Sequence, residues 1–413
     1  MTTEIESYLN SLSYDTLIID ISGRDINSLP DLTRFKNLEI LRCSYNKLTS
    51  LSTLPQNLKV LHCCCNEFTS LPTLPQNLKK LYCYNNQITS LPTLPQNLKE
   101  LDCSNNELTC LPTLPQDLKI LHCSNTPLTS LPTLPQNLKE LVCFNNLLTS
   151  LPTLPQNLRI VNCCYNQLTS LPTLPQNLIT LSCSSNKLTS LSSLPQNLQT
   201  LCCYNNKLTS LPTLPQNLQT LSCFTNKLTS LPTLPQNLIT LSCSSNQLTL
   251  LPTLPQNLQK LSCSDNQLTS LPTLPEKLKI LCCFTNQLTS LPTLPENLIT
   301  LYCYTNKLYS LPTLPENLIT LYFNNNPISE IVNNTSLIEI KRDIQILNNF
   351  RHLYYCLQFK KQFRKWLWEK VREPKIKKMS DPKYLVENLK YDDDLDTVLD
   401  NWTQLETIGG FTS

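Results

Sequence analysis

The chain has 413 residues and a formal net charge of +3, which is too small to indicate a class of partner by itself. Its three glycines, Gly23, Gly409 and Gly410, exclude a glycine-rich phosphate loop and a dinucleotide-binding fingerprint. Three histidines leave little room for histidine catalysis, and no apolar stretch of about 18 residues predicts a membrane span.

The N-terminal sequence MTTEIESYLN has no basic start followed by an apolar run, so it does not resemble a secretory signal. We therefore expect a cytoplasmic location, which is reducing and would keep the 21 cysteines free. Ile5, Leu9 and Leu12 have helical spacing. They predict a helical cap over residues 1–15, because the end of a stacked structure must cover its first core layer.

From Leu38 to Ile331 the chain repeats one 20-residue pattern, L-x-x-L-x-C-x-x-N-x-L-T-S-L-P-T-L-P-Q-N, without insertions. A degenerate first copy containing Ile19 and Ile21 precedes it by 22 residues, which makes about 16 repeats over residues 16–332. The pattern is that of leucine-rich repeats. It predicts a solenoid, in which each repeat packs only on its neighbours.

Each repeat is predicted to form a strand over L-x-C-x, a turn held by the asparagine, and a return segment with two prolines. Proline fixes φ and lacks an N–H, so the return segment should be extended or polyproline-like. The predicted fold is a curved parallel β-sheet with extended segments on its convex side.

One cysteine position recurs in 14 copies, from Cys43 to Cys303, and Phe323 occupies it in the last repeat. Strand alternation places this thiol column in the core, where free cysteine acts as a small hydrophobe. A disulfide ladder is disfavoured because parallel side chains pair poorly, and a straight row does not form a tetrahedral metal centre. The asparagine is replaced once, by Thr126, which is followed by Pro127. We predict that this repeat is weakened, because the bridging amide is missing.

Residues 333–413 contain no further repeats and are predicted to form a helical region that caps the solenoid. Ser336 and Glu339 have the spacing of a capping box. Ile340, Ile344 and Phe350 lie on one predicted apolar face, which should end at Pro374. Further helices are predicted to begin near Asp381-Pro382 and near Asp394.

The stretch LPTLPQNLKKLYCYNNQITSLPTLP resembles the 20-residue leucine-rich repeats of Yersinia and Shigella type III effector proteins. The near-identical copies, the thiol column and the tail FRHLYYCLQFKKQFRKWLWEKV resemble the leucine-rich-repeat proteins of giant DNA viruses of amoebae. The resemblance implies a binding fold, in the host cytoplasm if the chain is viral. Some of the bacterial effectors carry a ubiquitin-ligase domain with a Cys-x-Asp motif, but Cys356 is followed by Gln358 at that spacing. That activity is not expected.

Residues 20 positions apart form columns that run across the strands. Two outward columns, one through Tyr82 and one through Tyr84, are predicted to line the concave face with small polar and aromatic side chains. Exposed aromatic residues on a small polar background favour a protein partner. The predicted partner-binding residues are Tyr82, Tyr84, Phe144, Tyr204, Phe224, Phe284, Tyr302, Tyr304 and Tyr322. A basic stripe before the strands, from Lys59 to Arg159, either steers an acidic partner or keeps that edge soluble.

No catalytic, metal-binding or cofactor-binding residues are predicted. His62, Cys64 and Cys65 are the best metal candidates, with His62 and Cys64 on the outward face, but no fourth ligand completes a zinc set. Asp102 and His122 occupy adjacent repeats, where an ion pair is favoured over catalysis.

The sequence favours a monomeric, non-catalytic scaffold that binds a protein on its concave face, without a small-molecule substrate or a cofactor. In a first alternative, the repeats select a client and the helical tail recruits ubiquitin-ligase or other effector machinery. In a second, the basic helix between Arg351 and Lys378, with ten basic and two acidic residues, contacts nucleic acid or an anionic membrane. Nucleic acid is the less favoured partner.

Overall fold

A computed structural model describes residues 2–334 and 336–379, so the helices predicted near Asp381 and Asp394 lie outside the described residues. The chain divides into two compact units, Met1–Ile344 and Gln345–Ser413. The first contains all the repeats.

Sixteen parallel strands form one sheet in which each strand pairs with those before and after it in the sequence. They are β1 (Ile18–Asp20), β2 (Ile40–Arg42), β3 (Val60–His62), β4 (Lys80–Tyr82), β5 (Glu100–Asp102), β6 (Ile120–His122), β7 (Glu140–Val142), β8 (Ile160–Asn162), β9 (Thr180–Ser182), β10 (Thr200–Cys202), β11 (Thr220–Ser222), β12 (Thr240–Ser242), β13 (Lys260–Ser262), β14 (Ile280–Cys282), β15 (Thr300–Tyr302) and β16 (Thr320–Tyr322). The predicted solenoid is confirmed. The register follows the sequence period, with Leu61 of β3 opposite Leu81 of β4.

The strands begin one residue earlier and are shorter than the predicted L-x-C-x. In the third repeat the strand ends at His62, although the Cys63 N–H still donates to the Tyr82 carbonyl at 2.9 Å. Two residues later, Cys65 has a φ of 55°, which turns the chain away from the sheet.

The asparagine bridges neighbouring repeats at this turn, as predicted. Nδ2 of Asn66 donates to the Cys43 carbonyl at 3.0 Å, and its Oδ1 accepts from the Leu48 N–H at 3.0 Å. One amide therefore satisfies backbone groups that have no ladder partner.

A left-handed residue precedes each of these turn positions. Sixteen residues other than glycine have a φ between 49° and 58°, from Asp25 to Asn325. Asparagine tolerates this conformation because its short polar side chain bonds locally, whereas Thr225, Thr285 and Thr305 are β-branched and strained there.

The return segments are neither helix nor strand, as their two prolines predict. In the third repeat the segment from Leu71 leads to a turn, in which the Leu78 N–H donates to the Pro75 carbonyl at 3.1 Å. The core lies between this arm and the sheet, where Leu61, Cys63 and Phe68 are fully buried.

Caps cover both ends of the repeats. Helix α1 (Thr2–Ser11) buries Ile5 and Leu9, whereas Leu12 is half-buried beyond its end. At the other end, a 3₁₀ turn (Pro327–Glu330) is followed by α2 (Leu337–Leu367).

The first turns of α2 close the C-terminal end of the core. Ile340 and Ile344 are buried, and Lys341 Nζ donates to the carbonyls of Glu316 and Leu318 at 2.9 and 3.2 Å. Helix α2 begins directly after Ser336, as the capping-box spacing predicts.

Farther along, the second unit departs from the sequence prediction. Phe350 is 69% exposed, so the predicted apolar face is not buried at that position. A π-helical turn (Trp368–Arg372) joins α2 to α3 (Glu373–Met379), and the prediction that Pro374 ends the helix is wrong. Pro374 lies in the first turn of α3, where its missing N–H is not needed. Among the described helices, none is both long and apolar enough to cross a membrane.

Candidate partner-binding surface

The open face of the sheet is formed by side chains that alternate with the buried leucines of the strands. In β4, Leu81 is buried while Lys80 and Tyr82 on either side are half-buried. The columns through Tyr82 and Tyr84 were predicted from the sequence, whereas the column through Lys80 was not. Strict strand alternation places Lys80 on the same side as Tyr82 and would have found it.

The column through Tyr84 is less exposed than predicted. Its small members Cys64, Ser124, Ser184 and Ser264 are buried, with at most 5% exposure. Each is followed one repeat later by an aromatic residue, at Tyr84, Phe144, Tyr204 and Phe284 respectively. We attribute the burial of these four to the large neighbouring ring, which covers a short side chain in the preceding repeat. Ser44 and Cys164 are buried as well, although Cys64 and Ser184 follow them.

Four of the predicted residues meet in one recess near the C-terminal end of the sheet, which we call the aromatic groove. It has a volume of about 630 Å³. The lining residues are Cys282, Phe284, Tyr302, Tyr304, Tyr322, Asn324 and Asn325. None of them carries a formal charge at neutral pH. Cys282, Asn324 and Asn325 were not among the predicted partner-binding residues.

Two ring stacks shape the groove. Phe284 and Tyr304 stack with centroids 4.5 Å apart and planes 6° from parallel. Tyr302 and Tyr322 stack at 5.3 Å and 28°, and Tyr322 is 52% exposed. Stacking fixes the rings in place, so an apolar segment could dock on them with little loss of side-chain entropy.

The other five predicted residues do not join this groove. Tyr204 and Phe224 form a separate stack with centroids 4.3 Å apart. Three repeats separate Phe224 from Phe284, which corresponds to about 14 Å along the sheet. Phe144 follows strand β7, in an earlier repeat than this stack, and Tyr82 and Tyr84 lie farther towards the N-terminus.

Tyr82 and Tyr84 are tied to their neighbours. Tyr82 stacks on His62 with centroids 4.6 Å apart, and its hydroxyl donates to Glu100. Burial and the hydrogen bond to Glu100 raise the pKa of Tyr82, while a hydrogen bond with Cys64 and burial raise that of Tyr84. Both phenols therefore stay neutral.

An ion-paired cluster occupies the same face across β4 to β7. Lys80 Nζ lies 2.9 Å from Glu100 Oε1. His122 lies between two carboxylates, with Nε2 at 3.0 Å from Glu140 Oε1 and Nδ1 at 3.8 Å from Asp102 Oδ2. The predicted Asp102–His122 pair is present, but Glu140 is the closer partner and belongs to the overlooked column.

The electrostatics of this cluster follow from the same contacts. The contact with the Asp102 carboxylate, which accepts from the protonated ring, raises the pKa of His122 against the opposing effect of burial, and Glu140 adds to the increase. Burial raises the pKa of Asp102, but hydrogen bonds from His122 and Ser104 outweigh it and leave the value lowered. These shifts are typical of a structural ion pair as well as of a site.

The proposed metal candidates do not converge. Cys64 is 3% exposed and its Sγ lies 3.0 Å from Ser44 Oγ, so it is covered on the face that it was predicted to share with His62. Burial of His62 lowers its pKa. Among the described residues, no group of three or more histidine, cysteine or acidic side chains could hold a metal ion.

The comparisons with known proteins agree with this architecture. The family described as Leucine Rich repeats (2 copies) matches residues 56–96 and 76–116. YopM of Yersinia pestis, a leucine-rich effector protein, is 39% identical over 75% of this chain and 88% of its own, with a TM-score of 0.69. The chain belongs to the leucine-rich-repeat family. YopM of Yersinia enterocolitica WA-314 is 31% identical over 79% of this chain and 90% of its own, with a TM-score of 0.52. No curated protein matches.

A third relative bears on the thiol column of this leucine-rich-repeat protein. The functional domain of InlJ from Listeria monocytogenes, which includes a cysteine ladder, is 25% identical over 72% of this chain and 65% of its own, with a TM-score of 0.56. In the present chain all 14 cysteines of the column are free and buried.

The buried thiols of these leucine-rich repeats are poor nucleophiles. Burial raises the pKa of Cys223 to about 12, and it raises the pKa of Cys203 well above its ordinary value. A thiolate is the reactive form, so these side chains act as packing groups. Phe323 occupies the same buried position in the last repeat, which confirms the predicted role.

Proposed function

We propose that this chain is a non-catalytic scaffold that binds a protein partner through the aromatic groove. The observation that carries the proposal is the convergence of two stacked aromatic pairs, Phe284–Tyr304 and Tyr302–Tyr322, around one uncharged recess. Tyrosine is enriched in the energetically dominant contacts of protein interfaces because it combines a large apolar ring with a polar hydroxyl.

The chemistry of the lining indicates the kind of segment that fits. Ring edges and phenol groups contact an apolar or aromatic side chain well, and the amides of Asn324 and Asn325 can pair with a backbone. A charged side chain would lose hydration in the groove without gaining an oppositely charged partner. We therefore propose an uncharged, apolar segment of a protein as the ligand.

The groove can be tested by capture of partners from a cell extract with the immobilised full-length chain. The double variant Tyr302→Ala/Tyr322→Ala removes one stack, of which Tyr302 is half-buried and Tyr322 is exposed. We expect it to retain at least about tenfold less of any partner that binds in the groove, because interface tyrosines are common hot spots. Circular dichroism and thermal unfolding verify that the variant folds.

The matched control is Tyr14→Ala/Tyr309→Ala, which removes two other exposed tyrosines outside the groove, 68% and 64% exposed. This variant should capture partners as the unchanged chain does. Undiminished capture by the groove variant, or an equal loss in both variants, would contradict the proposal.

The helical tail supports a second candidate function. Trp366 and Trp368 are 52% and 50% exposed near Arg364 and Lys365, which is the composition of a segment that contacts an anionic surface. Co-sedimentation with vesicles containing phosphatidylserine tests this. Trp366→Ala/Trp368→Ala should abolish vesicle binding, and binding that this variant retains would exclude the role.

The first alternative, a tail that recruits ubiquitin-ligase or other effector machinery, rests on the resemblance to bacterial effectors. A shortened chain ending at Ile344, which keeps the capping residues Ile340 and Ile344, separates it from the scaffold function. Partners captured equally by both chains belong to the repeats, whereas partners captured only by the full chain require the tail.

For location, we propose the cytoplasm, which is that of a host cell if the chain is viral. The support is that the 20 cysteines described by the structure are all free. Free thiols in this number suit a reducing compartment.

A further inference from the structure

A second surface lies at the edge of the sheet where the chain enters the strands. We call it the basic ladder; its members are Lys79, Lys99, Lys119, Lys139 and Arg159. Each directly precedes a strand, and consecutive members are joined by backbone hydrogen bonds of 2.8 Å, such as that from the Lys99 N–H to the Lys79 carbonyl. The rungs therefore follow the strand spacing of about 4.8 Å and extend over about 19 Å.

The cations of the basic ladder have no internal counterions. Within residues 2–334 and 336–379, none of the five forms an ion pair. Lys59, one repeat before the ladder, pairs with Glu39. The carboxylates of Glu100 and Glu140 are directed instead to Lys80 and to His122 on the open face.

The repeat fold does not require these charges. The same position holds Ile179, Gln199, Gln219, Ile239 and Gln259 in the following repeats. Adjacent like charges in a ladder are destabilising, so five consecutive cations carry an energetic cost that an opposite charge would relieve. Solubility alone does not account for the row, because the neutral repeats present the same edge to solvent.

The surroundings favour carboxylates of a protein over a nucleic acid. The column beside the ladder on the sheet consists of Lys80, Glu100, Ile120, Glu140 and Ile160, without an aromatic side chain on which a base could stack. Asp117 lies at the same edge and would repel a continuous phosphate backbone. Four of the five rungs are lysines, whose flexible stems can each reach a separate carboxylate.

We propose that the basic ladder binds an extended acidic segment of a partner protein. Alternate side chains of an extended segment lie about 6.7 Å apart, which is within reach of lysine side chains anchored about 4.8 Å apart. Three or four carboxylates would then face the ladder. This surface is separate from the aromatic groove, so the two proposals can fail independently.

The test measures binding of a fluorescein-labelled ten-residue polyglutamate peptide to the full chain by fluorescence anisotropy. We expect binding at low salt that is lost at roughly 0.5 M salt, where charges on the surface are screened over a few ångströms. The variant Lys99→Gln/Lys119→Gln/Lys139→Gln should weaken binding by about tenfold or more, since each exposed ion pair contributes modestly.

The matched control neutralises a second lysine ladder on the opposite edge, in the variant Lys187→Gln/Lys207→Gln/Lys227→Gln. It makes the same change in net charge with the same spacing and should change binding by no more than about twofold. Equal weakening in both variants would show an effect of net charge and overturn the proposal. Absence of peptide binding would overturn it too, as would tighter, ladder-dependent binding of a labelled 20-nucleotide thymidine strand.

Discussion

The hydroxyl of Thr126 lies 2.6 Å from Oδ1 of Asn146, at the position where the other repeats from Asn46 to Asn326 place an asparagine amide. The hydroxyl also donates to the Cys123 carbonyl at 3.1 Å, but within the described residues it makes no bond to the backbone of the preceding repeat, which the amide does elsewhere. Elsewhere, the N–H of the residue two positions after the asparagine donates to Oδ1 of the asparagine in the next repeat. Ile88, for example, donates to Asn106 at 2.9 Å.

At this junction the backbone N–H and the backbone carbonyl of Leu108 both lack the partner that the equivalent groups have in other repeats. Its N–H would bond to an asparagine at position 126, and its carbonyl would accept from the N–H of residue 127, which is Pro127. No protein partner for either group is found in the described part of the chain. Leu108 is fully buried, so each unpaired group costs about 1–3 kcal/mol.

We therefore expect Thr126→Asn to stabilise the chain by about 1–2 kcal/mol, because it restores an acceptor for the Leu108 N–H and a donor for the Cys103 carbonyl. Amide hydrogen exchange provides the measurement. In the unchanged chain Leu108 should exchange faster than Ile88 and Leu128, and the variant should slow it. The reverse change Asn166→Thr should accelerate exchange at Leu148, which bonds to Asn166 at 3.0 Å. Equal protection of Leu108 and its neighbours would refute the prediction.

The left-handed turn residues provide a second prediction. Thr285 has a φ of 49°, which disfavours a β-branched side chain. We expect Thr285→Asn to stabilise the chain by about 1 kcal/mol, measured by chemical denaturation. Asn105→Thr, at a φ of 53°, is the reverse control and should destabilise it by a similar amount. Changes of the same sign in both variants would mean that strain at this position does not govern stability.

The pKa values of the two histidines of the open face should be shifted in opposite directions. Asp102 and Glu140 raise the pKa of His122, whereas burial lowers that of His62. NMR titration should place the pKa of His122 above the ordinary value near 6.5 and that of His62 below it. Glu140→Gln should lower the pKa of His122. A pKa for His122 at or below that of His62 would be inconsistent with the contacts.

The shift of His122 also has a consequence for stability. Its folded-state pKa exceeds the unfolded value, so the protonated ring stabilises the fold fully below about pH 6.5. That contribution is lost as the pH rises through the folded-state pKa. The denaturation midpoint of His122→Gln should therefore fall below that of the unchanged chain by more at pH 6 than at pH 8.5. The matched variant His62→Gln should show the opposite trend, since protonation of His62 opposes folding.

The thiols should react in the order of their exposure. Cys110 is exposed, Cys202 is half-buried, and Cys183 and Cys203 are buried with a strongly raised pKa. A pulse of iodoacetamide followed by mass spectrometry should therefore label Cys110 first, then Cys202, and the other two only in denaturant. Cys282 is half-buried in the same column as Cys202 and should match it. Early labelling of Cys183 would contradict its place in the core.

Much of the fold follows from the sequence because one pattern sets the environment of every repeat. Leu61, Cys63 and Asn66 are where the period and strand alternation predict them, and the pairing register repeats that period. The strand limits were less predictable, since the left-handed residue at Cys65 carries no glycine signal in the sequence.

The site was predicted only in part. The predicted residues do meet in the groove, because Tyr304 follows Phe284 by one period of 20 residues and Tyr322 follows Tyr302 by one period. Burial of Ser264 depends instead on the size of the residue in the next repeat, which a single column does not reveal. The contact between His122 and Glu140 joins positions 18 residues apart and was missed because it crosses between columns.

The junction at Leu108 also bears on how the chain responds to force. If the two ends of the repeats are pulled apart, load passes in series through every interface between consecutive turns. The interface between β5 and β6 has fewer bonds than its neighbours, so it should rupture first. Rupture there would separate a block of five strands from a block of eleven and leave most of the sheet, with the aromatic groove, intact.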